Sequence, residues 1–202
     1  MINWRLLETF TPGARVLDIG CGAGAWEPEL RRRGGVTLVG VEISAEAAAA
    51  AEARYDRVVR SPSEVLDVDQ LGGSFDTIIA ADVIEHLVDP FTELDRWRAW
   101  CSPAGELVIS TPNIRHFRVV RELVLRGRFD YVDGGGVMDR THLRWFTQAS
   151  LADALVGAGW RPQRWGNLRT GKSGSLNQLS GYRLNGFLAP QLQVVAKLQD
   201  RS

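Results

Sequence analysis

Arg15-Val16-Leu17-Asp18-Ile19-Gly20-Cys21-Gly22-Ala23-Gly24 decides the fold of this chain. A short, mostly apolar run entering a glycine-rich turn reads as a buried parallel strand that ends at a ligand-binding turn. Glycines there let the backbone approach a ligand closely, and free N–H groups at the following helix start can point at what sits above. Glu27 to Arg33 then reads as a short helix, stopped by Gly34-Gly35.

The same alternation continues downstream. Residues 36–41 are rich in β-branched side chains and predict a second strand. Ser44 stands as the N-cap of an alanine-rich helix over 45–54, and 57–59 predicts a brief third strand. Residues 75–81 predict the fourth strand, 90–101 a helix closed by Ser102-Pro103-Ala104-Gly105, and 106–111 the fifth strand. Strands separated by short helices imply right-handed crossovers and a parallel sheet covered on both faces, so the fold class is α/β. Residues 114–126 carry an amphipathic helix pattern, 127–146 a loop with Gly134-Gly135-Gly136, and Thr147 the cap of a helix to about Gly157. A strand near 160–168, a Gly/Ser/Asn-rich stretch at 169–186 and a last strand near 189–198 complete the expectation.

At 202 residues the chain suits one domain over 1–202: a cap at 1–14, a substrate-side insertion or lid at 114–146, and a loop at 169–188. Charge balances overall, with 24 basic and 24 acidic residues, which argues against a dedicated nucleic-acid binder. It does not balance locally: residues 1–138 carry a net −6 and residues 139–202 a net +6, while 115–128 hold five arginines and one glutamate. No apolar run approaches the ~20 residues that span a bilayer. Residues 1–5 have no signal-peptide character, and two cysteines without a CxxC pair fit a reducing cytoplasm.

Two readings of the glycine turn stay open on spacing alone. Gly20-x-Gly22-x-x-Ala25 satisfies a relaxed dinucleotide pattern, and Glu42, at the end of the second strand, could accept ribose hydroxyls in either kind of nucleotide site. A nicotinamide-dependent oxidoreductase therefore remains an alternative. Asp18 favours the other reading, because an acid just before the glycines repels a pyrophosphate but can pair with the amino group of a zwitterionic ligand.

The ordered set of motifs resembles the class I S-adenosylmethionine-dependent methyltransferases over about 15–165. Val16 to Gly24 is similar to that family's first motif and Val39 to Ser44 to its second. Phe75 to Leu87 looks like the fourth-strand motif and Leu94 through Asn113 the fifth-strand block. His142-Leu143-Arg144-Trp145-Phe146-Thr147 looks like the segment before the last helix. The resemblance implies a Rossmann-like seven-stranded sheet with an antiparallel last strand. It also implies methyl transfer from S-adenosyl-L-methionine to a small-molecule or glycan- or lipid-linked acceptor, at oxygen. The cofactor residues it implies are Asp18, Gly20, Cys21, Gly22, Glu42, Ile43, Ser63 and Asp82. In one place the chain departs from the family: Pro62 occupies the position where an acid usually meets the adenine amino group, which shifts that duty to Ser63, Glu64 or backbone atoms. A protein that kept the fold without catalysis is therefore a second alternative.

Transfer to oxygen is helped by a base near pH 7, and His142 and His86 are the candidates, with Asp139 or its neighbours orienting His142. His116 reads as a surface residue. Asp82-x-x-Glu85-His86 resembles the spacing with which some quinone-pathway methyltransferases hold a divalent ion, but the same letters serve members that need no metal, and none is assigned. Arg115, Arg118, Arg121, Arg126 and Arg128 suit an anionic acceptor, and the amphipathic pattern over 114–126 equally suits a peripheral membrane contact.

Overall fold

The computed structural model describes Leu6 and residues 8–34, 36–166, 171–181 and 183–199. The expected cap at 1–14 lies partly outside these residues. Seven strands form one sheet in the order β3-β2-β1-β4-β5-β7-β6. They are β1 (Arg15–Ile19), β2 (Thr37–Glu42), β3 (Arg57–Arg60), β4 (Phe75–Ala81), β5 (Cys101–Pro112), β6 (Trp160–Trp165) and β7 (Gln191–Leu198). All neighbours among β1 to β5 run parallel, whereas β7 is antiparallel to both β5 and β6. The expected Rossmann-like sheet with an antiparallel last strand is therefore the observed one, and the last strand sits inside the sheet.

Helices α1 (Glu27–Gly34), α2 (Ala45–Ala51), α3 (Pro90–Trp100), α4 (Phe117–Arg126) and α5 (Gln148–Gly157) fill the crossovers. Ser44 caps α2 by accepting from the Ala47 N–H, and Thr147 caps α5 in a capping box with Ser150. The apolar residues of β1 alternate between two core layers, as period-2 geometry requires. Leu17 and Ile19 join the layer under α3 and α5, and Val16 joins the one holding Cys21, Trp26, Leu30 and Tyr55. The two outer strands, β3 and β6, are blunted by Arg57 and Arg60 on one side and by Arg161, Pro162 and Arg164 on the other.

Trp97 and Trp100 are buried in the larger layer, as their helical spacing indicates. Trp160 is fully buried beside them and donates its indole N–H to the Leu94 carbonyl at 2.8 Å. Trp160→Ala removes that hydrogen bond and opens a cavity, so it should cost about 3–5 kcal/mol in chemical denaturation. A loss under about 1 kcal/mol would show that the layer collapses around the gap.

Three details differ from expectation. Residues 102–105, read as a turn, lie inside the irregular start of β5, where the register jumps from Phe75↔Cys101 to Thr77↔Glu106. The stretch 169–188, read as a loop, holds two short helices, α6 (Gly171–Leu179) and α7 (Asn185–Leu188). Buried Asn177 and Asn185 bond each other there, a polar contact that periodicity does not encode. His116, read as surface, is buried and stacks on Phe117 with ring centroids 4.7 Å apart. No helix among the described residues is long and apolar enough to cross a membrane.

Candidate active site

The carboxyl ends of β1, β2 and β4 face one side of the sheet, and the glycine turn after β1 lies among them. Gly20, Gly22 and Gly24 all take positive φ, of 70°, 54° and 73°, which a residue with a Cβ adopts only under strain. A Cβ on Gly20 would also come 2.7 Å from a Val83 methyl, whereas one on Gly22 would meet nothing within 4 Å. The turn is thus packed on its inner side and open at Gly22.

Four of its amides are committed within the protein. The N–H groups of Gly20 and Cys21 donate to the Val41 carbonyl at 2.8 and 3.1 Å, Gly22 donates to Glu42 Oε2 at 2.9 Å, and Gly24 donates to the Cys21 carbonyl at 3.0 Å. These four donors are already engaged and have no hydrogen left for a phosphate. The reason lies in register: β1 and β2 end level, Ile19 against Val41, so the turn folds back over the end of β2.

Glu42 is nearly buried and fixed from both oxygens, Oε1 accepting from the Ser44 N–H at 2.8 Å. Asp18 is buried directly below the turn and accepts a 2.6 Å hydrogen bond from the Tyr55 hydroxyl. Burial pushes its pKa from 3.8 up to about 7; the Tyr55 bond pulls it back and the Glu42 charge adds to the rise. Cys21 is buried, and burial pushes its thiol up to about 12, so it fills space and is no nucleophile. Ile43, next to Glu42, is 70% exposed, an apolar side chain presented beside the fixed carboxylate.

Ser63 is also buried, but its hydroxyl donates to Glu93 at 3.1 Å. Pro62 stands just before a 3-10 turn, Ser63–Val65. Asp82, at the end of β4, has φ 57°, a sparsely populated conformation for a residue with a side chain. Three bonds hold it: its N–H to the Ser110 carbonyl at 2.9 Å, and Oδ1 accepting from the Ser110 hydroxyl at 3.1 Å and from Gln191.

The histidines meet. His86 and His142 pack edge to face with ring centroids 4.9 Å apart, although 56 positions separate them. His86 Nδ1 lies 3.2 Å from the Thr141 carbonyl and His142 Nδ1 lies 3.1 Å from the Val137 carbonyl. A carbonyl only accepts, so each Nδ1 carries the proton, and in the neutral ring each Nε2 keeps a basic lone pair. Asp139 does not orient His142 through a direct bond as expected. Its carboxylate accepts from Gly135 and Thr141, and those bonds hold it near a pKa of 2.

Sequence reasoning missed Glu85 as a partner of this pair. Buried Glu85 accepts from the Thr111 hydroxyl at 3.0 Å, and its carboxyl is pushed up to about 8 by burial and then by the Asp82 charge. One Glu85 oxygen, one His86 nitrogen and one His142 nitrogen lie within 4.8 Å of each other. The Glu85 carbonyl also accepts from the N–H groups of Leu143 and Arg144, at 2.7 and 3.0 Å, which pins the histidine loop to the end of β4. Asp82, the third member of the sequence-level metal set, is turned to Ser110 and Gln191 instead. Tyr55 and Gln191 were missed too. They stand 37 and 109 positions from the acids they bond, so no local signal marks them.

A sequence family described as a methyltransferase domain matches residues 4–164 of this chain. The chain belongs to that family. A ubiquinone biosynthesis O-methyltransferase from Nitrobacter winogradskyi is 40% identical over 106 residues, which cover 50% of this chain and 40% of that protein. A demethylmenaquinone methyltransferase from Mycolicibacterium paratuberculosis is 29% identical over 171 residues, covering 79% of this chain and 73% of that one. The match thus spans from 40% to 60% of the length of the ubiquinone relatives. Among solved structures, an S-adenosylmethionine-dependent methyltransferase from Mesorhizobium loti shares the fold. It has a TM-score of 0.66 and 18% identity, with 95% of this chain and 94% of that one covered.

Membership of the methyltransferase family makes S-adenosyl-L-methionine the cofactor. The residues at the glycine turn fit such a cationic, zwitterionic ligand: two fixed acids, open space over Gly22, and the Gly20, Cys21, Gly22 and Gly24 amides already spent.

Proposed function

We propose that this methyltransferase-family chain moves a methyl group from S-adenosyl-L-methionine to an oxygen atom of a small-molecule acceptor. The observation that carries the reading is the spent amide set of the glycine turn above buried Asp18. A pyrophosphate would meet an acid and four engaged amides there, whereas an ammonium group and a ribose would meet Asp18 and Glu42. Gly20, Cys21 and Gly22 then shape the floor of the cofactor site, Ile43 covers an apolar ring, and Asp82 and Ser63 close its sides.

When bound, S-adenosyl-L-methionine supplies an electrophilic methyl on a sulfonium. Around it the protein has to orient the acceptor and take one proton. Nε2 of His142, with His86 against it, receives the proton of an acceptor O–H as the new bond to oxygen forms. Glu85, neutral near pH 7, adds no negative charge to hold the proton on the ring. The relatives' names favour a hydroxylated ring of quinone type, and the arginines of α4 favour an anionic or lipid-linked one. A groove of about 630 Å³ begins at Arg144, two residues past His142, and runs along Phe91, Trp145, Phe146 and Ala154. Its aromatic walls suit such a ring.

Calorimetric titration with S-adenosyl-L-methionine, S-adenosylhomocysteine and NADH at several pH values tests the cofactor half. Only the Asp18 carboxylate can pair with an ammonium, and its pKa of about 7 means that binding at lower pH must first expel a proton. Adenosyl affinity should therefore rise up to tenfold per pH unit toward pH 7 and then level off. The unliganded fold shows the opposite trend: the buried carboxyl favours the protonated state, so its contribution to stability falls as pH rises from 3.8 to about 7. Binding of NADH without the adenosyl ligands would overturn the proposal.

A further inference from the structure

Helix α4 buries none of its own residues. Its side chains nevertheless divide in large part: Phe117, Val120, Leu123 and Val124 lie along one side, and Arg118, Arg121 and Arg126 along the other, with Leu125 among the arginines. Leu123 is 48% exposed and Val124 71%, and the chain beyond the Gly127 cap continues apolar, with Phe129, Tyr131 and Val132 all exposed. Phe129, Tyr131 and Trp145 stack as a trio with ring centroids 5.8–5.9 Å apart. A helix this amphipathic gains its stability by laying the apolar side on something.

Charge decides between the two candidate occupants. The stretch 115–128 has five arginines and one glutamate, so a two-fold contact with a second copy would set like charges against each other. An anionic phospholipid surface matches both halves, taking the apolar side at the acyl boundary and the guanidinium groups at the phosphates. The ion pairs that Arg121 and Arg126 make with Glu122, and Arg128 with Asp130, lie at the surface, where such pairs are weak and exchange readily for phosphate. Tyrosine and tryptophan, apolar with one polar tip, belong at the same depth.

We propose that α4 and the aromatic segment behind it form an interfacial docking surface for an anionic phospholipid membrane. Trp145 joins that surface to the catalytic loop, because its indole N–H and His142 Nδ1 both lie 3.1 Å from the Val137 carbonyl. Docking therefore holds the histidine pair at the membrane surface, where a lipid-linked acceptor presents its ring. Only this last step rests on the proposed methyl transfer; vesicle binding is read without turnover.

Co-sedimentation of the protein with phosphatidylcholine vesicles, with and without phosphatidylglycerol, tests the surface. Binding should rise by about tenfold or more when phosphatidylglycerol is present and fall in high salt, as screened charges require. Leu123→Asp with Val124→Asp, and separately Arg118→Glu with Arg121→Glu, should each lose about tenfold. All four side chains avoid the core, and S-adenosylhomocysteine affinity should stay unchanged as the check on folding and on the cofactor site. Equal binding to both vesicle types, no binding, or variants that bind as the parent would each overturn the proposal. So would displacement from vesicles by inorganic phosphate at matched ionic strength, or a concentration-dependent dimer that Val124→Asp dissolves.

Discussion

Glu42→Ala should weaken S-adenosylhomocysteine binding by about 10- to 1,000-fold in calorimetric titration, while the protein stays folded. The carboxylate does two things at once. It holds the Gly22 and Ser44 N–H groups, which sets the glycine turn against the start of α2, and in the proposed site it accepts the ribose hydroxyls. Hydrogen bonds to a charged group are worth about 1.5–3 kcal/mol each, so losing the acceptor together with the turn it organises reaches that range. Glu42→Gln keeps the shape and one carbonyl oxygen and should fall between the parent and alanine. An alanine variant that binds as tightly as the parent would show that the ribose lies elsewhere on the sheet edge.

The second large effect belongs to His142. With an acceptor in hand, His142→Ala should lower kcat by about 100- to 10,000-fold, the range for loss of a positioned base. Adenosyl binding should hold, because the ring's hydrogen bond and ring partner are Val137 and His86 rather than residues of the proposed cofactor site. Alanine also removes the bond to the Val137 carbonyl, so a pinning role has to be separated from a basic one. His142→Asn supplies an amide N–H for that carbonyl and lacks a titratable nitrogen. If His142 is the base, asparagine is as slow as alanine. Recovery of activity in the asparagine variant would reduce His142 to a pin for the loop.

The features read correctly from the sequence are those set within a few residues of themselves. The run Val16–Ile19 ends at glycines because a parallel strand buried on both faces must be apolar and its exit turn needs positive φ. Ser44 and Thr147 mark helix starts because a hydroxyl satisfies a free amide three residues on. Trp97 and Trp100 fall on one helix face and are buried together. Two readings failed for the complementary reason. Residues 169–188 lack a periodic apolar pattern, and their helices are joined by a contact between Asn177 and Asn185. His116 sits among arginines in sequence, but the fold buries it against the Phe117 ring and the Leu188 backbone.

The candidate site divides along the same line. Asp18, Glu42, Asp82, His86 and His142 are visible as chemistry-bearing residues at the ends of predicted elements, so the sequence by itself determined which groups are available and that they gather at the carboxyl edge of a parallel sheet. Their protonation and aim came from partners that only the fold brings near. Tyr55 reaches Asp18 from the end of α2, Gln191 reaches Asp82 because β7 inserts beside β5, and Glu85 approaches His142 because its own carbonyl captures the loop at Leu143 and Arg144. Hydrogen bonding and desolvation act over a few ångströms of space whatever the separation along the chain. For that reason it took the folded chain to show that the Gly20, Cys21, Gly22 and Gly24 amides are spent, and that two histidines 56 residues apart form one pair.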